Sequence, residues 1–132
     1  MRKIIIDTNF LMLPFQFKID IFSEFERICN FNYKLHIFEQ SINELKNIIG
    51  KQSGKSKKAA QFALKLIKLK NISIIKSSPK DVDSLILENP CKDIIVATQD
   101  IYLKKKLLEK GISVAILRQK KYLKLLETLK LS

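Results

Sequence analysis

Short, continuous apolar runs recur along the chain and are separated by longer amphipathic segments. Runs of this kind, apolar at nearly every position, are typical of strands that are buried on both faces of a parallel sheet. Longer strands half-exposed to water would instead alternate apolar and polar residues. The pattern predicts strands over 3–6, 34–38, 72–75, 94–98 and 113–117.

The intervening segments repeat their apolar residues at helical spacing. In the segment 57–69 the lysines share one side, and the other side holds apolar residues that include Phe62 and Leu69. Strands that alternate with helices predict a single α/β domain over 1–132, with a parallel sheet covered by helices. The helices are predicted over 20–29, 41–49, 57–69, 81–88, 100–110 and 121–131, and the segment GKQSGKS is expected to be a loop.

Four carboxylates follow strands or begin helices in this scheme. Asp7 comes directly after the first strand, and Asp100 follows the strand 94–98 with one residue between. Glu44 and Asp83 fall in the first turns of the helices that begin at 41 and 81. In an open parallel sheet these positions share one edge, so we expect the acids to meet there. Converging carboxylates repel unless a cation neutralises them, and Mg²⁺ or Mn²⁺ suits oxygen ligands.

Each acid also has a purely structural explanation. Asp7 is placed to cap the turn after its strand, and Asp100 is a plausible helix N-cap. Glu44 completes a capping box with Ser41, and Asp83 is electrostatically favourable at a helix N-terminus. The metal hypothesis therefore depends on the four acids taken together.

The charge of the chain is large and unevenly distributed. The formal net charge is +12, and the segment 45–80 holds ten lysines and no acid. The segment 101–132 holds nine basic residues against two acids. Clustered lysines favour binding of a polyanion, since they release counterions from phosphates. A solvated lysine-rich surface is the alternative explanation.

Several stretches resemble the PIN-domain nucleases. The resemblance rests on DTNFLMLPFQFKIDIFSEFERI, SINEL, DVDSLIL and IIVATQD followed by YLKKKLLEKGISVAILRQ, and it extends from residue 4 to about 119. It is closest to archaeal stand-alone PIN proteins, which in turn resemble the endonuclease of the small-subunit processome that cuts pre-ribosomal RNA. The resemblance implies a three-layer PIN-like fold, divalent metal and RNA cleavage.

The resemblance also assigns roles to individual residues. Asp83 is preferred over Asp81 as the third acid, because Ile86 then takes the apolar position three residues later. The candidates for holding the RNA backbone lie on the helix that starts at Asp100 and after the last strand, and such contacts position the substrate without reading sequence: Lys104, Lys105, Lys106, Arg118, Lys120 and Lys121. The implied metal-binding and catalytic set is Asp7, Glu44, Asp83 and Asp100, with Asn9 and Thr98 in supporting positions.

Three functions follow as hypotheses. The first is a divalent-metal-dependent endoribonuclease in ribosomal RNA maturation, with pre-ribosomal RNA as its partner. The second is a VapC-like toxin ribonuclease, which requires an antitoxin. The third is a non-catalytic RNA-binding scaffold.

An apolar stripe on the final helix favours packing within the chain, with a homodimer as the alternative.

The remaining features narrow the class of protein. Arg2 and Lys3 lead straight into a strand, so we expect no secretory leader, and no apolar run reaches the roughly 20 residues of a membrane span. The widely separated Cys29 and Cys91 predict reduced thiols in a cytoplasmic protein. Gly50 and Gly54 lie one residue too close for a Walker A loop, which argues against nucleotide binding.

Overall fold

The computed structural model describes residues 1–76 and 93–127. Six strands form one sheet in the order β3-β2-β1-β4-β5-β6. The predicted strands are confirmed, each to within one residue at either end. The strands are β1 (Arg2–Ile6), β2 (Tyr33–Phe38), β3 (Ser73–Ile75), β4 (Ile94–Ala97), β5 (Ser113–Arg118) and β6 (Tyr122–Leu126).

The helices agree less closely with the prediction. Two short helices directly after β1 were not predicted, and the predicted helix 81–88 lies outside the described residues. Among the helices of the two described ranges, none has the length and apolar character needed to cross a membrane. The helices are α1 (Thr8–Leu11), α2 (Leu13–Phe17), α3 (Ile21–Ile28), α4 (Glu39–Lys51), α5 (Gly54–Leu69) and α6 (Ile101–Glu109).

The sheet is parallel from β3 to β5, and its strand order reverses at β1. The chain builds β1, β2 and β3 outward in one direction, and β4 then pairs with the opposite side of β1. The β1–β4 boundary is therefore the topological switch point, where ligands bind in open α/β sheets. The predicted central parallel sheet is confirmed, and the additional strand β6 pairs antiparallel with β5.

Both faces of the sheet are buried, as the continuous apolar runs predicted. Ile4 and Ile6 of β1 belong to a core that includes buried residues of α1 to α5. Ile5 belongs to a second core on the other face, which includes Leu103 and Leu107 of α6. The molecule thus has the expected three layers, with the sheet in the middle.

The connection between α4 and α5 is shorter than the sequence suggests. Only Gln52 and Ser53 separate the two helices, so most of GKQSGKS is helical and the loop prediction is wrong. Helix α4 begins at Glu39, which leaves Ser41 inside the helix and fully buried. The predicted capping box of Ser41 with Glu44 is therefore wrong as well.

Helix α5 uses small residues for its buried side. Ala59, Ala60 and Ala63 are almost completely buried, which lets α5 lie close to its neighbours. Phe62 and Leu69 belong to the apolar side of the predicted helix, but they are 37% and 74% exposed. The helix is rotated toward its alanines, and Phe62 is left at the surface.

The predicted final helix over 121–131 is wrong where the structure describes it. Residues Tyr122–Leu126 form β6, whose Leu123 is buried in the core opposite Leu117 of β5. Leucine and lysine favour helix, but here burial against β5 outweighs that local preference. Residues 128–132 lie outside the described part, so a role of this segment in a homodimer is not supported.

The outer edge of β6 is covered by side chains of α3. Glu24 Oε1 accepts a hydrogen bond from Leu123 N at 2.8 Å, and Arg27 Nη2 donates one to Leu123 O at 2.8 Å. Glu24 and Arg27 also form an ion pair at 2.9 Å. An edge strand with satisfied backbone groups has less tendency to pair with another chain.

His36, the single histidine of the chain, is buried in β2. Neither ring nitrogen has a hydrogen-bond partner among the described residues. Burial lowers the pKa of His36 below its ordinary value of 6.5, and the positive charges of Lys3 and Lys34 lower it further. His36 is therefore a neutral core residue at pH 7.

This lowered pKa makes stability depend on pH in a defined window. Below pH 6.5 the unfolded chain binds a proton that the folded chain resists, so stability is lost as the pH falls. We expect the free energy of unfolding to drop by up to about 1.4 kcal/mol per pH unit between pH 6.5 and 5. Urea denaturation at several pH values measures this slope, which His36→Leu should remove.

The pH dependence of stability caused by His36 can be separated from the pH dependence caused by Asp20 and Glu24. Hydrogen bonds lower the pKa of Asp20, chiefly from Ser23, and of Glu24, chiefly from Arg27, below their ordinary values of 3.8 and 4.5. Their contribution is complete above those values and is lost at more acidic pH. An unchanged slope between pH 6.5 and 5 in His36→Leu would contradict the assignment.

Candidate active site

The candidate site lies where β1 and β4 end side by side. Ile6 is in register with Ala97, so the residues that follow the two strands emerge at the same edge of the sheet. The backbone continues this pairing for one more step, since Asp7 N donates to Ala97 O at 2.9 Å. Asp7 and Thr98 are therefore neighbours although 91 residues separate them in the chain.

The Asp7 carboxylate is directed toward β4 rather than toward its own helix. Asp7 occupies the N-cap position of α1, and its backbone oxygen accepts from Phe10 N and Leu11 N. Its side chain makes no capping hydrogen bond, so the predicted capping role does not hold for the carboxylate. Instead Asp7 Oδ2 accepts a hydrogen bond from Thr98 Oγ1 at 2.9 Å. Asp7 is only 6% exposed.

Thr98 links Asp7 to Asp100 through one hydroxyl group. Thr98 is completely buried, and its Oγ1 accepts from Asp100 N at 3.1 Å while donating to Asp7. The predicted supporting position of Thr98 thus coincides with two hydrogen bonds. Asp100 is exposed, and its Oδ1 accepts from Leu103 N at 3.0 Å, which confirms its prediction as the N-cap of α6.

The other predicted residues approach this edge from α1 and α4. Glu44 is half-buried on α4, which follows β2 and contacts α1. Asn9 is exposed on α1, two residues after Asp7. The hydroxyls of Thr8 and Ser41 are buried and have no hydrogen-bond partner among the described residues. Helices α1 and α4, which contact each other, thus each carry a buried hydroxyl group without a hydrogen-bond partner among the described residues.

The structure brings together part of the predicted metal set. Asp7 and Asp100 are joined through Thr98, but residues 1–76 and 93–127 contain no group of three acids, histidines or cysteines arranged to hold a metal ion. Asp83 and its alternative Asp81 lie outside the described residues. Convergence of all four acids therefore stays a prediction. The available donors are carboxylate oxygens, which fit Mg²⁺ or Mn²⁺.

The predicted RNA-binding residues fall on two elements beside Asp100. The amide of Gln99 bonds to both Leu117 N and Leu117 O, at 2.6 and 3.3 Å, and so holds the end of β5 next to the site. The lysines of α6 begin four residues after Asp100. Lys104 is half-buried, whereas Lys105, Lys106, Arg118, Lys120 and Lys121 are exposed.

Comparison with known proteins agrees with this architecture. The model of the family described as "PIN like domain" matches residues 4–120. The chain belongs to the PIN-like domain family. The resemblance inferred from the sequence motifs is therefore confirmed.

Two curated archaeal members of this family are similar over most of their length. Ribonuclease VapC4 of Methanocaldococcus jannaschii is 37% identical over 126 residues, which cover 92% of this chain and 95% of that protein. Ribonuclease VapC9 of Archaeoglobus fulgidus is 31% identical over 121 residues, which cover 91% of this chain and 86% of that protein. Both relatives are named as ribonucleases.

A solved structure of the same fold is also similar. The PIN domain endonuclease Utp24 superposes with a TM-score of 0.79 and covers 96% of this chain and 92% of its own. Its sequence is 21% identical, so the likeness shows the PIN fold and nothing about the substrate.

Thr98 provides a test of the link between the two acids. We expect Thr98→Val to lower the free energy of unfolding by about 1–3 kcal/mol, because it removes a buried donor from Asp7 and an acceptor from Asp100 N. Thr98→Ser keeps the hydroxyl and should lose less. Chemical denaturation of the three proteins measures the difference. Equal stability of the valine and serine variants would show that the hydroxyl does not hold the two segments together.

Proposed function

We propose that this chain is a divalent-metal-dependent endoribonuclease that hydrolyses RNA phosphodiester bonds. The observation that carries the proposal is the linkage of Asp7 to Asp100 at the switch point of a PIN-like fold. The named ribonuclease relatives support the same chemistry. The proposed metal-binding and catalytic set is Asp7, Glu44, Asp83 and Asp100.

The residues of the chain have distinct tasks in this proposal. Asp7 and Asp100 would hold Mg²⁺ or Mn²⁺, and Thr98 orients Asp7 while it fixes the backbone of Asp100. The chemistry supplied by such an ion is Lewis acidity, which polarises a phosphoryl oxygen and acidifies water. The burial of Asp7 strengthens its interaction with a cation, since water screens the charges less there.

No side-chain nucleophile is needed for this hydrolysis. The single histidine is buried within β2, not at the carboxyl-terminal edge, so it is not placed to act as a general base. Cys29 is a half-buried free thiol whose pKa is raised by burial, which disfavours the reactive thiolate. The exposed basic residues of α6 and of the β5–β6 turn would hold the phosphate backbone.

The catalytic assignment is tested by exchanging one carboxylate for its amide. We expect Asp7→Asn and Asp100→Asn each to lower the rate of Mn²⁺-dependent RNA cleavage by at least about 100-fold, because losing a ligand should cost more than the 10–100-fold typical of outer residues. Asp93→Asn is the matched control, since Asp93 lies before β4, at the opposite edge of the sheet. Gel analysis of a labelled RNA gives the rates.

Metal binding is measured separately from cleavage. Electron paramagnetic resonance of a Mn²⁺ titration should show tighter binding to the unaltered chain and to Asp93→Asn than to Asp7→Asn. Full cleavage by a clean Asp7→Asn preparation would refute the assignment. A wild-type chain that binds RNA but cleaves none with either metal would favour the non-catalytic scaffold.

Two biological settings remain for the proposed nuclease. The VapC-named relatives, at 37% and 31% identity over almost the whole chain, support a toxin ribonuclease that pairs with an antitoxin. Maturation of pre-ribosomal RNA, the first hypothesis from the sequence, rests on the motif resemblance alone, because a likeness at 21% identity shows only the fold. We therefore place the toxin setting first.

Controlled expression in a host cell distinguishes the settings. A toxin should arrest growth within a few generations, the Asp7→Asn variant should not, and co-expression of a small partner encoded beside the gene should restore growth. A maturation enzyme should leave growth unaffected on expression, and its depletion should cause ribosomal RNA precursors to accumulate. Mapping of RNA 5′ ends identifies the cleaved molecules in either case.

A further inference from the structure

An open groove lies between α2 and the beginning of α5, on the side of the sheet that carries helices α1 to α5. Its volume is about 910 Å³, which is enough for more than one nucleotide. Of the predicted acids that the structure describes, Asp7, Glu44 and Asp100 are not among its lining residues. The lining residues are Pro14, Phe15, Gln16, Phe17, Lys18, Lys55, Ser56, Lys58 and Phe62.

Aromatic rings form the apolar part of the groove. Phe17 and Phe62 are each 37% exposed, although most large apolar side chains of this protein are buried. Phe15 packs against Phe62 with ring centroids 6.1 Å apart, which fixes the orientation of the exposed ring. Exposed aromatic faces of this kind bind unpaired bases by stacking, whatever their sequence.

The polar part of the groove is positively charged. Lys18, Lys55 and Lys58 line it together with Gln16 and Ser56, and its lining within residues 1–76 and 93–127 includes no acid. The first turn of α5 has no acidic residue and no side-chain cap. Lysines near the positive end of a helix dipole destabilise the free protein, and a bound polyanion would offset that cost.

The lining also distinguishes between occupants. A groove that receives an amphipathic protein helix needs aliphatic pockets at helical spacing. Phenylalanine and proline are the apolar residues of this lining, and in the described part of the chain it includes no leucine, isoleucine, valine or methionine. Rings interleaved with lysines match a single nucleic-acid strand better than a peptide.

The groove is connected to the candidate active site through Lys120. This residue lies in the turn between β5 and β6, and its Nζ is 5.5 Å from the centroid of the Phe17 ring. Gln119 and Lys120 both have positive φ, at 52° and 55°, although neither is glycine. Lysine at such a position costs stability relative to glycine, and this cost favours a functional role for the Lys120 side chain.

We propose that this groove binds the single-stranded RNA that flanks the bond to be cleaved. Bases stack on Phe17 and Phe62, and phosphates contact Lys55, Lys58 and Lys120. The inference rests on the proposed ribonuclease function for the identity of the strand, but binding here does not require cleavage.

Equilibrium binding tests the groove without any reaction. A fluorescein-labelled oligouridylate of twelve nucleotides is titrated with the full chain in EDTA, and fluorescence anisotropy gives the dissociation constant. We expect Phe17→Leu and Phe62→Leu each to weaken binding at least about fivefold, since stacking contributes at least that much per base. We expect Lys55→Gln with Lys58→Gln to reduce the salt-dependence slope by about 1.4.

Matched controls use the same residue types elsewhere in the chain. Phe31→Leu alters another ring under a cation, because Arg2 lies 4.5 Å from its centroid at the opposite edge of the sheet. Lys57→Gln with Lys68→Gln removes two charges from α5 outside the groove. These controls should change affinity less than twofold, and thermal unfolding should show that each variant is folded.

The Lys120→Gly variant distinguishes a role of Lys120 in RNA binding from a purely structural role. Glycine relieves the positive φ, so the melting temperature should rise, whereas the salt-dependence slope should fall by about 0.7. A residue with a purely structural role would not move these two readouts in opposite directions. Ultraviolet cross-linking of a 5-iodouridine oligonucleotide should additionally label peptides that contain Phe17 or Phe62.

The groove proposal can be refuted independently of the proposed ribonuclease function. If the groove variants bind RNA as tightly as the controls, or if the unaltered chain binds no RNA in EDTA, the inference is overturned even where cleavage is observed. A protein partner that protects the groove from cross-linking while RNA affinity is unchanged by the variants would overturn it too. Groove-dependent binding by a chain that cleaves nothing would support the inference and refute the nuclease.

Discussion

The parallel pairing of β1 with β4 is the constraint on which the rest of the structure depends. It places two strands, both buried on both faces, at the point where the strand order reverses. Because paired parallel strands end at the same edge, Asp7 lies beside Thr98 and Asp100 although these residues are far apart in the sequence. A shift of register by one residue would exchange the faces of Ile4, Ile5 and Ile6 and would separate the acids as well. Folding of the core and assembly of the site are thus the same event.

The position of Asp7 shows why the site conflicts with stability. Asp7 is only 6% exposed and accepts a hydrogen bond from Thr98, and taking a carboxylate out of water costs free energy even where hydrogen bonds offset part of it. An apolar or neutral residue would suit the end of a buried strand better. A charge kept there against this cost is typical of functional sites, where stability is exchanged for chemistry.

The sequence was sufficient to predict those elements whose positions are determined by one physical rule. Strands buried on both faces must be apolar throughout, so their positions could be predicted to within a residue, and the strand-end rule then identified Asp7 and Asp100. It was insufficient where tertiary contacts override local preference. The leucines and lysines of Tyr122–Leu126 favour helix, but the edge of β5, together with Glu24 and Arg27, selects a strand. The turn before β6 contains Gln119 and Lys120 at positive φ, and glycine or asparagine at these positions would have predicted a hairpin.

The short helices after β1 were missed for a related reason. Helices α1 and α2 contain four and five residues, which is too few for a helical period to appear, and Pro14 reads as a breaker although it occupies the first turn of α2. The exposure of Phe62 could not be predicted either, because α5 is rotated toward its alanines. These two errors concern the two walls of the groove, so the sequence alone gave no sign that a groove exists.

The kind of basic residue at this surface bears on what the protein can recognise. Arg2 and Arg27 are engaged in ion pairs and hydrogen bonds that fix β6, whereas the groove is lined by lysines. Lysine is a flexible point charge that contacts phosphate, while planar bidentate recognition of base edges is characteristic of arginine. Stacking on phenylalanine is equally tolerant of base identity. A strand held in the proposed groove would be positioned but not read, so selectivity for particular RNAs would have to come from contacts outside the groove, from the shape of the substrate, or from a partner that restricts access to the acids.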